Sequence, residues 1–176
     1  MFHKILVALD NSELSQQVFD RAVFLAKATN ASLMLLHVQS VYDEYYLKPG
    51  FPGAESGYPS LYTQTSSSYM KQWEEVEKEG LEELKSLVQQ VIAAGVKAEF
   101  LQNQGDPGRM ICNAAISWQA DLIIMGRRGR TGLSELFLGS VSNYVLHHAP
   151  CAVLVVQHSA NVNLSEEAQA IDRLKC

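Results

Sequence analysis

Short continuous apolar runs alternate with apolar stripes of helical period along most of this chain. Lys4-Ile5-Leu6-Val7-Ala8-Leu9 has the pattern of a strand covered on both faces, and it ends at Asp10. Asn11 and Ser12 offer N-cap chemistry for a helix with Leu14, Val18, Ala22, Leu25 and Ala26 on one face and Asn30 as its stop. Ser32 to Val38 reads as a second buried strand. Trp73, Val76, Gly80, Leu84, Leu87 and Val91, widened by Leu81 and Val88, mark one face of a long helix that Gly95 closes. Glu75, Glu79, Glu82, Glu83 and Lys85 charge its other face, and this charge run reads as a solvated surface. Val96 to Gln102 alternate as a third strand. Gly105-Asp106-Pro107 predicts a turn into a helix, with Asp106 as N-cap and Pro107 at the first helical position. Met110, Ile111, Ala114, Ala115 and Trp118 supply that helix's buried face, and Asp121 to Met125 form a fourth strand. Val141, Tyr144, Val145 and His148 space out a last helix that must stop before Pro150, and Ala152 to Val156 make a fifth strand.

Strands alternating with helices in this way define an α/β domain, a parallel sheet with helices on both faces. Right-handed crossovers bring every strand C-terminus to one edge of such a sheet, where ligands bind at the point at which strand order reverses. The ends of the first, second and fourth strands are therefore the places to look for chemistry. Residues 39–68 break the rhythm with three prolines, three glycines and five tyrosines, and read as a long inserted loop, either functional or disordered. The tyrosines at 42, 45, 46, 58 and 62 suit either a lid that stacks on a base or a plain surface loop. The tail over 158–176 carries Leu164, Ala168, Ile171 and Leu174 at the spacing of a short amphipathic helix.

Composition narrows the class. The 176 residues suit one domain, and 47% hydrophobic with 19% charged residues is the balance of a folded soluble chain. A net charge of −5 argues against broad nucleic-acid binding. No apolar run approaches the roughly 20 residues that span a bilayer, and the N-terminus lacks a signal-peptide layout. Cys112, Cys151 and Cys176 have neither metal-ligand spacing nor a disulfide framework, which fits a reducing, cytoplasmic setting.

One loop carries distinctive chemistry. Gly126 to Ser140 follows the fourth strand, with glycines at 126, 129, 132 and 139 and arginines at 127, 128 and 130. Glycines let backbone N–H groups approach an anion, and Gly139-Ser140 opens a helix whose dipole favours phosphate. Ser140 suits either the helix N-cap or a hydroxyl turned to a phosphate or phosphate-bound metal. The loop lacks the Gly-Lys-Ser/Thr of a Walker A motif, and the first turn, Asp10-Asn11-Ser12, lacks the dinucleotide glycine pattern.

In its spacing the loop resembles the universal stress proteins, whose nucleotide-binding members carry Gly-x2-Gly-x9-Gly-Ser/Thr, matched here by Gly126, Gly129, Gly139 and Ser140. The resemblance extends to Ile5–Asp10, to Gly105-Asp106-Pro107, to Ile124-Met125-Gly126 and to Ala149–Val156. It implies a Rossmann-like domain over 1–157 with a five-stranded parallel sheet in the order 3-2-1-4-5. It also implies an adenine-nucleotide site. Ala8, Leu9 and Asp10 would line adenine and ribose, Val38 would close over the adenine, and Met125, Gly126, Arg128, Gly129, Gly139, Ser140 and Val141 would hold ribose and phosphates. The implied ligand is ATP or AMP, with Mg²⁺ or Mn²⁺ bridging the phosphates and Ser140 within reach of the ion. The implied assembly is a homodimer through the strand at 152–156.

Residue by residue, Asp10 reads as the ribose ligand ahead of a simple cap, and Asp106 as a cap. His37 reads as a core histidine. His147 and His148 are adjacent, about 100° apart on a helix, and cannot form a metal pair. The leading function is a dimeric nucleotide-binding regulator or sensor of stress. The alternatives are a slow ATPase or phosphotransfer enzyme, for which the loop offers no general base, and a nucleotide-free scaffold, against which the intact glycines argue.

Overall fold

A computed structural model of the chain describes residues 1–40, 62–127 and 138–157, with residues 62–73 and 76 as backbone alone. Five strands form a single parallel sheet: β1 (Lys4–Leu9), β2 (Ser32–Gln39), β3 (Ala98–Gln104), β4 (Leu122–Gly126) and β5 (Ala152–Val156). Their order is β3-β2-β1-β4-β5, as the resemblance implies. Four helices connect them: α1 (Leu14–Thr29), α2 (Tyr62–Ala93), α3 (Pro107–Trp118) and α4 (Ser140–His148).

Strand alternation sorts the core into two clusters. Ile5, Val7 and Leu9 of β1 face one side with Leu33 and Leu35 of β2, where Leu14, Val18, Phe19 and Ala22 of α1 and Leu84, Val88 and Val91 of α2 cover them. Leu6 of β1 faces the other side with Met34, Leu36, Ile123 and Met125, beneath Ile111, Cys112, Ala114 and Ala115 of α3 and Val145 of α4. Each fully buried aliphatic side chain contributes about 1.5–3 kcal/mol relative to exposure, which is why the central strands read as unbroken apolar runs.

The helix stops follow local chemistry. Asn30 ends α1 in the left-handed region at φ 56°, and Gln119 ends α3 there at φ 57°. Asp106 caps α3 as the sequence predicts, its Oδ1 accepting from the Arg109 amide at 2.9 Å, with Pro107 in the first turn.

Five boundaries differ from the sequence reading, and the simplest is β4, which runs one residue later at both ends, Leu122–Gly126 rather than Asp121 to Met125. The α2 helix starts at Tyr62, so the polar run Thr63–Ser68 is helical backbone rather than loop. No proline or glycine lies between Tyr62 and Glu79, and adding turns to an existing helix costs little. Strand β3 runs two residues later than expected at both ends, because Gly95 at φ 83° and the Val96 amide bonded to the Val91 carbonyl use those positions for the turn. Strand β2 continues one residue further, to Gln39, which pairs with Gln104. At α1 the N-cap position falls to Glu13, with no side-chain cap bond, because the Ser12 amide and hydroxyl both turn back onto Asp10. The tail at 158–176 and the tyrosines at 42, 45, 46 and 58 lie outside the described residues.

Candidate functional site

The order of strands reverses between β1 and β4. From β1 the chain passes through α1 to β2 on one side, while β4 lies on the other. Ala8 pairs with Met125, which sets Leu9-Asp10 beside Gly126-Arg127 at the C-terminal edge of the sheet. The fold therefore brings the predicted site segments to the crevice where parallel α/β sheets bind ligands.

Asp10 sits half-buried at the tip of β1. Its Oδ1 accepts from the Ser12 amide at 3.1 Å and from the Ser12 hydroxyl, and its own amide donates to Ser15 Oγ at 3.1 Å. The carboxylate is thereby held in one orientation, as an Asx turn holds its side chain.

Four of the predicted apolar site residues share one side of the sheet. Ala8, Val38 and Val141 are partly buried against the α3/α4 cluster, and Met125 is a buried member of it. Leu9 is the exception: its side chain belongs to the opposite cluster under α1 and α2, so only its backbone faces the crevice.

At the mouth of β4, Gly126 pairs with Val156. Arg127 then joins three elements. Its amide donates to the Val156 carbonyl at 2.6 Å, and its Nη1 donates to Gln157 Oε1 at 2.8 Å. Its carbonyl accepts from the Gly139 amide at 3.0 Å and from Ser142 Oγ at 2.7 Å. The start of α4 is thus fixed next to the end of β4. Gly139 is the N-cap, in extended conformation, and Ser140 is the exposed first helical residue. Of the two roles open to Ser140, the cap falls to Gly139. The first amides of α4 lack intrahelical acceptors and carry the positive end of the dipole. Arg128 and Gly129 lie outside the described residues.

The remaining chemistry-bearing residues sort away from this site. Cys112 and Cys151 belong to the apolar α3/α4 cluster. Burial pushes the Cys112 thiol up, and burial, then the Asp121 carboxylate, then Cys112 push Cys151 up, so both stay protonated and act as core residues rather than nucleophiles. His148 Nδ1 lies 2.8 Å from the Tyr144 carbonyl and its ring stacks on Tyr144, a structural role at the C-terminal turn of α4. No group of three acidic, histidine or cysteine side chains among the described residues is arranged to hold a metal ion. No helix there is long and apolar enough to cross a membrane.

Three features escaped sequence reading. A cleft of about 280 Å³ opens on the α1/α2 side of the same sheet edge, between Asp10, Ser12, His37, Gly80 and Glu83. Gly80 makes room there: a Cβ on it would stand 3.3 Å from His37 Nδ1 and 3.2 Å from Gln102 Nε2. Gln39 is 4% exposed, and neither of its amide atoms has a hydrogen-bond partner among the described residues. Ser142 is 2% exposed, and its hydroxyl reaches across to Arg127. The first and last depend on chain segments far apart in sequence, and no local pattern signals them.

The strand order and the helices define a Rossmann-like α/β domain with a crevice at its switch point. The universal stress protein family profile matches residues 1–157, and the chain belongs to that family. It is 42% identical over 161 residues to the universal stress protein Sll1388 of Synechocystis, covering 89% of this chain and 99% of that one. Among solved structures, a universal stress protein in complex with cAMP matches with a TM-score of 0.55 and 25% identity, over 90% of this chain and 98% of that chain. An Arabidopsis thaliana family member with AMP bound matches with a TM-score of 0.58 and 20% identity, over 90% of this chain and 94% of that chain.

Proposed function

We propose that this universal stress protein binds an adenine nucleotide, ATP or AMP, at the β1–β4 crevice and acts as a dimeric sensor or regulator rather than as an efficient enzyme. The observation that carries the reading is the juxtaposition of Asp10 with Gly126 and the Gly139-Ser140 helix start, on adjacent strands of one sheet edge. Asp10 Oδ1 is occupied by Ser12, which leaves Oδ2 as the oxygen for a ribose hydroxyl. Ala8, Val38 and Met125 provide the apolar side on which a base rests. The α4 N-terminus supplies N–H groups for phosphate oxygens, and Arg128 and Gly129 complete the motif. The cyclic AMP and AMP complexes of other family members support the ligand class.

A divalent ion in this site would take its ligands from phosphate oxygens, water and the Ser140 hydroxyl. Mg²⁺ binds in this manner, through few protein groups, and Mn²⁺ shares its preference for oxygen. Phosphoryl transfer needs a group to orient the attacking nucleophile, and Asp10 is committed to its turn and the sugar. The reading therefore assigns holding rather than hydrolysis. The second copy would dock on β5, whose outer edge is unpaired among the described residues and whose Leu154 is 41% exposed. Mass spectrometry of small molecules released from the purified protein, followed by calorimetric titration with ATP and AMP, tests the reading. A timed assay for ADP release separates a sensor from an ATPase.

A further inference from the structure

The nucleotide reading leaves one buried polar side chain without a role. Ser142 occupies the third helical position of α4, and its side chain is not exposed to any ligand. Its single hydroxyl proton is shared between the Arg127 carbonyl at 2.7 Å and the Gly139 carbonyl at 3.0 Å. The Arg127 carbonyl also accepts from the Gly139 amide at 3.0 Å. Two short bonds thus tie the residue that follows β4 to the residue that starts α4, across a loop whose ends are eleven positions apart from Arg127 to Leu138. The backbone of Arg127 is in turn held on its other side by the Val156 carbonyl at 2.6 Å.

We propose that Ser142 is a positioning residue for phosphate binding, a proposal that rests on the nucleotide reading above. It sets the spacing between Gly126 on β4 and the first amides of α4, the two described parts of the phosphate-binding arrangement. Backbone N–H groups stabilise an anion only when they are already aimed at it, so loosening this tie costs affinity through the phosphates alone. The base and ribose contacts assigned to Ala8, Asp10 and Val38 stand on β1, at its tip and on β2, whereas the Ser142 hydroxyl bonds to Arg127 and Gly139. The Gly139 amide still satisfies the Arg127 carbonyl when the hydroxyl is removed, so the fold does not depend on the serine.

The test is calorimetric titration of Mg-ATP, AMP and adenosine into the wild type, Ser142→Ala and Ser142→Thr. The expected result for Ser142→Ala is a loss of about tenfold in ATP affinity, a smaller loss for AMP and none for adenosine. Ser142→Thr keeps the hydroxyl and is expected to keep the wild-type ratio of ATP to adenosine affinity. Equal losses for ATP and adenosine in Ser142→Ala would show a general structural defect and overturn the positioning role, as would an unchanged ATP affinity. A folded Ser142→Thr protein with a collapsed ratio would overturn it as well. Failure of the wild type to bind any of the three ligands would instead overturn the nucleotide reading itself.

Discussion

Gln39 ends β2 with both amide atoms buried and without a partner among the described residues, next to Val38 in the segment assigned to the base. A desolvated amide without a partner costs about 1–3 kcal/mol, whereas an apolar group of the same length removes that cost. Gln39→Met is expected to raise stability by about 1–2 kcal/mol in urea unfolding, and a loss of stability would show that the amide is doing structural bonding. At this scale the sequence is informative where a residue acts through its own neighbours. Asp10 and Asp106 announce themselves because each bonds to backbone within three positions. Ser142 does not, because its tie is to Arg127, fifteen positions away beyond the end of β4. Leu9 turns its side chain to the α1/α2 core, so the role carried over to it is one for its backbone.

The α3–α4 contact shows what one methyl group means for packing between elements. Gly108 is buried in the first turn of α3, and a Cβ there would stand 2.7 Å from Tyr144 Cδ1 and 3.1 Å from Tyr144 Cβ. Tyr144 is itself stacked on His148, so its ring has little freedom to withdraw. Gly108→Ala is expected to push the two helices apart and to cost about 1–3 kcal/mol, read as a lower midpoint in thermal unfolding. An unchanged midpoint would mean that Tyr144 has a second rotamer to adopt. Element type was legible throughout, because doubly covered strands are continuous apolar runs and the helices carry period-3.6 stripes. Element boundaries were less so. The Ser/Thr-rich start of α2 has weak intrinsic preference and follows the rest of its helix, and the register of β3 is set by pairing with β2 rather than by its own alternation.

At the scale of the whole molecule, the alternation of elements specifies a parallel sheet but not the order of its strands. That order came from the family resemblance, and the sheet bears it out. For the site, generic physics points to an anion-binding loop after β4 in the sequence, and the four-part glycine spacing is what narrows the proposal to a nucleotide. Arg127 joins the end of β4 to both the start of α4 and the end of β5, and the other edge of β5 is unpaired among the described residues. Leu154 lies on β5, and the proposed dimer predicts a dimeric wild type and a monomeric Leu154→Glu variant by light scattering. A monomeric wild type would remove the β5 interface from the account. The most direct test of the central claim is calorimetric titration of ATP into the wild type and Ser140→Asp. An acidic residue in the first turn favours the α4 dipole, so the variant is expected to fold at least as stably as the wild type. The same charge repels phosphate, and the account predicts saturable ATP binding to the wild type with loss of at least tenfold in the folded variant. Absence of binding to the wild type at millimolar ATP with Mg²⁺, or equal binding to both proteins, would contradict it.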